Sequence, residues 1–504
     1  MRLNILIGGK AGQGINKISG IVADILSKHG YFIFNYRDYP SLIRGGHNFN
    51  ILSISDEKIG SFESRFDGII SLDDKTLELH KNELKDNGFI VSYESFEEHK
   101  INLNMALAGA LTKILGLDLE VLLERIRKEF EEESVEAAKR GYESQEKKYD
   151  FERIDRKISI ISGSHAVTLG AINSKVKLYI SYPMTPATGV LHELATKQSE
   201  NDFIVFQPEN EIAAVNSALG ASFTGTRAMV GTSGGGFDLM SEALSFQGQS
   251  EIPLVIYLAS RPGPGTGVPT YTLQADLNAA LGSGHGEFSR IVVAPGDPIE
   301  AIEKTNEAFY LSEKFKTLVI ILSDKHLAEG EFSLDNKPNE FLDIRLDRKI
   351  PGDEIVKVSS YEHDEFGNTT EDSSLIVENT KRRIGKSEEI KKELEKFEAV
   401  KVHGDKESKN LVIGFGSTKG VVLDSIKGLD VKFLQVLYLE PFSDRIEEEI
   451  KKAEKVILVE LNSTGQLGRL VKEKTGIDIK EKVLKYDGRP FASDELRKEI
   501  EIRL

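Results

Sequence analysis

Between residues 176 and 324 one pattern recurs: a short run of β-branched and apolar residues stops at a glycine- or proline-rich turn, and apolar residues at helical spacing follow. "VKLYISYP", "DFIVFQPENE" and "AMVGTSGGG" each lead into such a helix, and "PLVIYLAS", "RIVVAPGDP" and "KTLVIILSD" continue the series. Short apolar runs bounded by turns suit strands buried on both faces, and alternation with helices supplies the crossovers that parallel strands need. The predicted fold is α/β, with mostly parallel, helix-covered sheets.

The rhythm also holds at both ends. "LNILIG" passes through "GKAGQG" into the helical "INKISGIVADILSKHG"; "YFIFNY", "HNFNILSI" and "DGIISL" are further strand candidates, and "NMALAGALTKILG" and "DLEVLLERIRKEFEEESVEAAKRGYE" are helical. Dense charge from Glu131 to about Arg156 predicts a helix tail and linker. Residues from about 335 to 405 turn polar and include a basic and acidic helix, "TKRRIGKSEEIKKELEKFEAV". The rhythm returns in "KNLVIGFGST", "DVKFLQVLYLEPF" and "KVILVELNSTGQLGRLV". A chain of 504 residues has room for about three domains. The expected division is 1–145, a linker at 146–157, 158–335, an inter-domain segment at 336–405, and 406–504.

Composition excludes more than it names. There is no cysteine, so disulfides, thiolate nucleophiles and cysteine-ligated zinc or iron–sulfur sites are all removed, and any redox chemistry must borrow its electron carrier. The net charge of -16 shows no basic footprint for nucleic acid, and no run of 18 apolar residues could span a membrane. Without a signal-peptide pattern, the expected compartment is the cytoplasm.

Five constellations could carry chemistry. "GGKAGQG", residues 8 to 14, lies between strand and helix, where backbone N–H groups can approach a phosphate; the ordinary alternative is a tight turn without a ligand. "RGGHN" adds Arg44 and points with it to an anionic ligand. In "QPENEIAAVNSALGAS", Glu209 and Glu211 follow a strand and open a helix of small residues. One carboxylate would suffice as a cap, and the other, facing an apolar contact, is an acid–base candidate. "GTSGGGFDLMSEAL" places Thr232 and Ser233 before three glycines, and "ASRPGPGTGVPT" places Arg261 in a loop of costly backbone geometry, suited to recognising a carboxylate or phosphate. His285 and His363 read as loop residues, and no HExxH motif occurs. "YPMTPAT" sets Thr185 between Pro183 and Pro186 at a strand's carboxyl end, where open α/β sheets present ligands.

Taken in order, these motifs resemble the α subunit of the 2-oxoacid:ferredoxin oxidoreductases, in the form with the γ domain fused N-terminally. "GGKAGQG" with "RGGHN" is similar to the γ domain. "YPMTPAT", "QPENEIAA", "GTSGGGFDLMSEAL", "RPGPGTGVPT", "QADL" and "GHGEF" are similar to the pyrimidine-type domain, and "YEHDEFGNTTED", "KRRIGK", "ELNSTGQL" and "YDGRPF" to the rest of α. The three domains would then be a γ-type, a thiamine-enzyme pyrimidine-type and a transketolase C-terminal-like domain. The resemblance implies oxidative decarboxylation of a 2-oxoacid with coenzyme A, on thiamine diphosphate shared with a β subunit. That subunit would hold Mg2+ and an iron–sulfur cluster and pass electrons to ferredoxin, within an (αβ)2 hetero-oligomer. The chain lacks the GDG motif that anchors diphosphate in such enzymes, so activity alone is not expected.

Position by position, the resemblance implies that Glu211 bonds the aminopyrimidine, that Thr185 lies beside the thiazolium and substrate, and that Arg261 pairs with the oxoacid carboxylate. Tyr182, Pro183, Thr232 and Ser233 would line the cofactor, and Gly9, Gly12, Gly14 and Arg44 would face coenzyme A. Met184 and Gly235 stand where the family usually has isoleucine and proline. The competing readings are a non-catalytic acyl-CoA- or nucleotide-binding subunit of the same fold, and a ferredoxin-independent thiamine enzyme, which should carry its own diphosphate motif.

Overall fold

The computed structural model describes residues 1–40, 46–352 and 354–504. They form two compact units: 1–162 with 330–337 and 491–498, and 163–329 with 338–490 and 499–504.

The first unit is built on a seven-stranded mixed sheet in the order Leu84–Ser92, Phe66–Ser71, Arg2–Lys10, His47–Ser55, Phe32–Asp38, Glu331–Leu334, Ser159–Ser162. Strands Phe32–Asp38 and His47–Ser55 run antiparallel, because residues 39–46 are too few for a crossover. Helix Ile15–Lys28 buries Ile18, Ile21, Val22 and Ile25 against the sheet.

The charged stretch after Glu131 departs from its expected reading as a helix tail. Glu132–Glu143 is a separate helix packed on Leu103–Ile114. Gly141 and Gly109 bring the two backbones together: an added Cβ at either would lie 1.9 Å from a carbonyl oxygen of the facing helix, Ala106 and Ala138 respectively. Small residues made this interface possible and, having little hydrophobicity, hid it from the apolar pattern.

The second unit contains two sheets. The larger, in the order Tyr438–Glu440, Arg290–Val293, Leu318–Asp324, Leu254–Ser260, Ala228–Thr232, Leu178–Ile180, Ile204–Phe206, is parallel apart from its first strand. The smaller, Val400–Gly404, Lys432–Val436, Asn410–Phe415, Lys455–Glu460, Glu481–Leu484, is parallel apart from its first strand as well. One apolar core runs through both, from Val230, Ile256 and Ile320 to Ile413, Leu434 and Leu458. The expected strands and turns of the 176–324 series thus form one sheet, with its loops after the strands gathered at one edge.

Helix Ser373–Leu394 is the basic and acidic helix read from the sequence. Arg383 forks onto Glu362 at 3.1 and 2.7 Å, and Arg382 and Lys386 both engage Glu251. No helix among the described residues is long and apolar enough to cross a membrane.

Candidate active site

The site assembles at the carboxyl ends of strands Leu178–Ile180, Ile204–Phe206, Ala228–Thr232 and Leu254–Ser260. Loops there are free of ladder pairing, so they can converge on a ligand while the sheet holds their bases rigid.

Glu211 opens helix Glu211–Phe223, and Asn210 relieves it of capping duty: the Asn210 side chain accepts from Ala213 N at 2.9 Å. Glu211 is nevertheless buried, 3% exposed, and among the described residues its Oε1 has no hydrogen-bond partner. Glu209, by contrast, is exposed. The carboxylate faces the glycine turn. A Cβ at Gly236 would lie 2.6 Å from Glu211 Oε1 and 2.3 Å from Thr232 Oγ1, so only glycine admits both groups there.

Thr232 and Ser233 are fully buried, and Ser233 Oγ has no partner among the described residues. Ser181 ties the preceding turn, donating from Oγ to Gly231 O at 2.7 Å. Arg261 reaches back across the site and donates from Nη1 to Thr185 O at 2.8 Å, joining two of the residues picked from the sequence. Burial lowers the guanidinium pKa, while the charges of Asp276 and Glu211 oppose that shift, so all three share one electrostatic neighbourhood. The Thr185–Pro186 peptide is cis. Tyr182 and Pro183 are exposed beside it.

Two features escaped the sequence reading. Asp276, in the quoted "QADL", lies against Gly234: a Cβ there would meet its Oδ1 at 2.6 Å. The other is the clamp on the loop between Arg261 and Asp276. Gln274 Nε2 donates to Phe415 O at 2.7 Å and its Oε1 accepts from Leu461 N at 3.0 Å; Asn462 donates to Gln274 O at 3.1 Å; Thr272 N donates to Gly488 O at 3.0 Å. Arg489 stacks over Tyr271 at 3.5 Å. The motifs "ELNSTGQL" and "YDGRPF" therefore hold the loop that carries Arg261 and Asp276. The signal was present, but nothing local said what they would touch.

In the first unit, Gly9 lies at the end of strand Arg2–Lys10, and Gly12 and Gly14 in the turn between it and helix Ile15–Lys28. Gly12 and Gly14 have φ of 89° and 88°, the left-handed region that favours glycine. Gln13 closes the turn from inside, with Lys10 N donating to its Oε1 at 2.6 Å and its Nε2 donating to Leu72 O at 3.2 Å. Arg44 lies outside the described residues.

A parallel α/β sheet with a buried carboxylate and bare glycines at its carboxyl edge is the place where such sheets present a bound ligand. The family model described as pyruvate flavodoxin/ferredoxin oxidoreductase, thiamine diphosphate-binding, matches residues 169–399, and that of pyruvate ferredoxin/flavodoxin oxidoreductase matches residues 4–102. A 2-oxoacid:ferredoxin oxidoreductase subunit alpha from Sulfolobus sp is 32% identical across 99% of this chain and 96% of its own length. A 2-oxoglutarate synthase subunit KorA from Methanocaldococcus jannaschii is 28% identical across 61% of this chain and 89% of its own. The solved 2-oxoglutarate:ferredoxin oxidoreductase from Magnetococcus marinus, with 2-oxoglutarate, coenzyme A and succinyl-CoA bound, superposes with a TM-score of 0.91 at 26% identity, covering 100% of this chain and 99% of that one. The chain belongs to the 2-oxoacid:ferredoxin oxidoreductase family, among its α subunits.

Proposed function

We propose that this chain is the α-type subunit, with a fused γ-type portion, of an enzyme that turns a 2-oxoacid and coenzyme A into acyl-CoA and CO2. One proton and two electrons are released, and the electrons leave through a β-type partner to ferredoxin. The observation that carries this reading is the buried, unpartnered Glu211 carboxylate facing the bare glycine turn, with Arg261 fixed to Thr185 nearby.

These residues fit thiamine diphosphate. Glu211 Oε1 is an acceptor waiting for an N–H, and the turn at residues 234–236 presents no side chain to obstruct a ring. When bound, the cofactor supplies a carbon nucleophile and a sink for the electron pair that decarboxylation leaves. Glu211 would hold the aminopyrimidine at N1′ and shift a proton between its nitrogens, which burial favours by removing competing water. Thr232, Ser233, Tyr182 and Pro183 would line the ring. Arg261 would grip the oxoacid carboxylate with the arm that Thr185 O leaves free, and Thr185 would flank the reacting carbons. The γ-type turn, Gly9 to Gly14 with Arg44, would face coenzyme A, the thiol acceptor present in the Magnetococcus marinus structure.

A partner is needed on two grounds. The chain has no cysteine to ligate a cluster and no diphosphate motif. The elements bearing site residues also expose large apolar side chains: Ile204, Phe206, Ile212, Leu239 and Val268 are 46–63% exposed. Such surface beside a site is suited to a second chain. The relatives' designation as α subunits agrees with this.

The test is co-expression with the adjacent β-like reading frame and anaerobic reduction of a viologen dye with coenzyme A and a panel of 2-oxoacids. Reduction dependent on both substrates is expected. A cluster-loaded complex that reduces the dye with no oxoacid would sink the assignment.

A further inference from the structure

Asp276 is a partly buried residue, its Oδ2 shut off from solvent, that the chemistry above leaves unused. Its carboxylate packs on Gly234 as that of Glu211 packs on Gly236, so the two acids lie against the same run of glycines that opens helix Gly234–Leu239. Among the described residues, Asp276 Oδ2 makes no hydrogen bond of good geometry; the Ser260 hydroxyl is close enough to favour its charged form, and Ser233 Oγ has no partner. Arg261 is near enough to act through its charge, but no ion pair within 4.0 Å joins it to Asp276.

This is not a loosely held loop residue. Gln274 and Ala275 are bonded to the C-terminal sheet and its loop, the latter by Gln466 Nε2 to Ala275 O at 2.8 Å, and Asn278 N donates to Gln466 Oε1 at 3.0 Å. The backbone on both sides of Asp276 is thus fixed, which sets where its side chain starts. Holding an acid with so little compensation in such a place costs stability, and proteins tolerate that chiefly where function requires it.

The charges around it are Arg261 at the end of strand Leu254–Ser260, Glu211 at the start of helix Glu211–Phe223, and Asp238 in helix Gly234–Leu239. One cation thus faces three carboxyl groups. A ligand carboxylate arriving at Arg261 would add a fourth negative charge at low dielectric, where repulsion is weakly screened.

We propose that Asp276 takes up a proton from solvent when an anionic carboxylate binds at Arg261, which makes 2-oxoacid binding proton-linked and makes Asp276 a positioning residue for that carboxylate. No substrate bond forms or breaks in this step; one proton moves onto the Asp276 carboxyl. The proposal rests on the reading of Arg261 given above. Burial already pushes the Asp276 carboxyl above its ordinary range, Asp238 adds to the rise, and Ser260 and Arg261 offset only part of it.

The experiment is calorimetric titration of oxamate, an unreactive 2-oxoacid mimic, into the complex with its partner chain, in buffers of differing ionisation enthalpy between pH 5 and 8. The parent should take up part of a proton, at most one, per oxamate. Asp276→Asn should bind oxamate with that uptake abolished and a flatter pH dependence. Asp238→Asn, an exposed change that leaves the fold intact, should move the uptake to lower pH. Thermal unfolding of the unliganded chain gives a second readout. A carboxyl whose folded pKa is raised loses stability as pH rises through its titration, so Asp276→Asn should gain Tm over the parent at neutral pH, with the gain shrinking towards pH 4. Equal proton uptake by parent and Asp276→Asn, or uptake unmoved by Asp238→Asn, would overturn the proposal. Arg261→Ala separates the two claims: oxamate binding that depends on Arg261 but not on Asp276 defeats only this one, whereas oxamate binding indifferent to Arg261 defeats the substrate reading beneath it.

Discussion

Glu211 and Gly236 are complementary: the carboxylate occupies the space that any side chain at 236 would need, 2.6 Å from an added Cβ. Gly236→Ala should therefore displace Glu211 or Thr232, costing about 1–3 kcal/mol of stability as overpacking does. Thermal unfolding and turnover of the assembled enzyme should both fall. Gly235→Ala is the control, because a Cβ at that exposed position meets nothing closer than 3.9 Å. Equal damage from both would show that helix geometry, not Glu211, is what Gly236 protects.

Glu211→Gln keeps the side chain's shape and loses its capacity to carry a proton. Turnover should drop by roughly 10²–10⁴-fold, the usual contribution of a general acid or base, with little change in oxoacid KM. Steady-state kinetics decide it; a variant keeping most of its kcat would remove the acid–base role from this residue.

Arg261→Ala should act on the other parameter. A charge-assisted hydrogen bond contributes about 1.5–3 kcal/mol, so oxoacid kcat/KM should fall on the order of 10–100-fold, mainly through KM. Lysine should not restore it, because one arm of the guanidinium fork is already committed to Thr185 O. Full recovery in Arg261→Lys would mean that charge alone matters there.

Gln274→Ala strips two bonds from the clamp; Phe415 O keeps the Thr418 hydroxyl as donor, but Leu461 N is left unsatisfied in the interior. At about 1–3 kcal/mol for the stranded group, Tm should fall measurably, and KM for the oxoacid should rise with it as Arg261 loses its support. A lowered Tm at unchanged KM would make the clamp purely structural.

Acid should unfold the second unit by way of Glu300. This carboxyl is 1% exposed, and burial alone would raise its pKa, but the Lys419 and Lys401 charges prevail and hold it at about 2. A depressed carboxyl pKa contributes stability above the ordinary value of 4.5 and loses it as pH falls towards 2. Denaturant unfolding followed between pH 7 and 2 should show that decline in the parent. In Glu300→Gln the decline should be shallower and neutral-pH stability lower, since removing one partner of a buried pair costs about 3–5 kcal/mol.

Much of the site could be read before folding. Thr185, Glu211 and Arg261 stood out because prolines, an unneeded second carboxylate and a run of special backbone residues are local anomalies, and the structure joins Arg261 to Thr185 directly. Asp276 did not stand out. Its meaning depends on Gly234, far back in the chain, and on Gln466 almost two hundred residues ahead. Helix Glu132–Glu143 is legible as helical but not as a separate packed element, for a related reason: its closest contact is made by Gly141 and Ala138, which carry little apolar signal.

What the sequence determined by itself was the alternation of strands and helices, the turns that end them and the absence of any thiol chemistry. Periodicity, turn propensity and residue chemistry all act within a few residues. Only the tertiary structure decided strand order, including the joining of Ser159–Ser162 to Glu331–Leu334 and of Tyr438–Glu440 to Arg290–Val293, and the clamping of the Arg261 loop by the C-terminal motifs. Those pairings are chosen by which buried surfaces and unsatisfied backbone groups fit one another across the folded chain, a choice that no local segment contains.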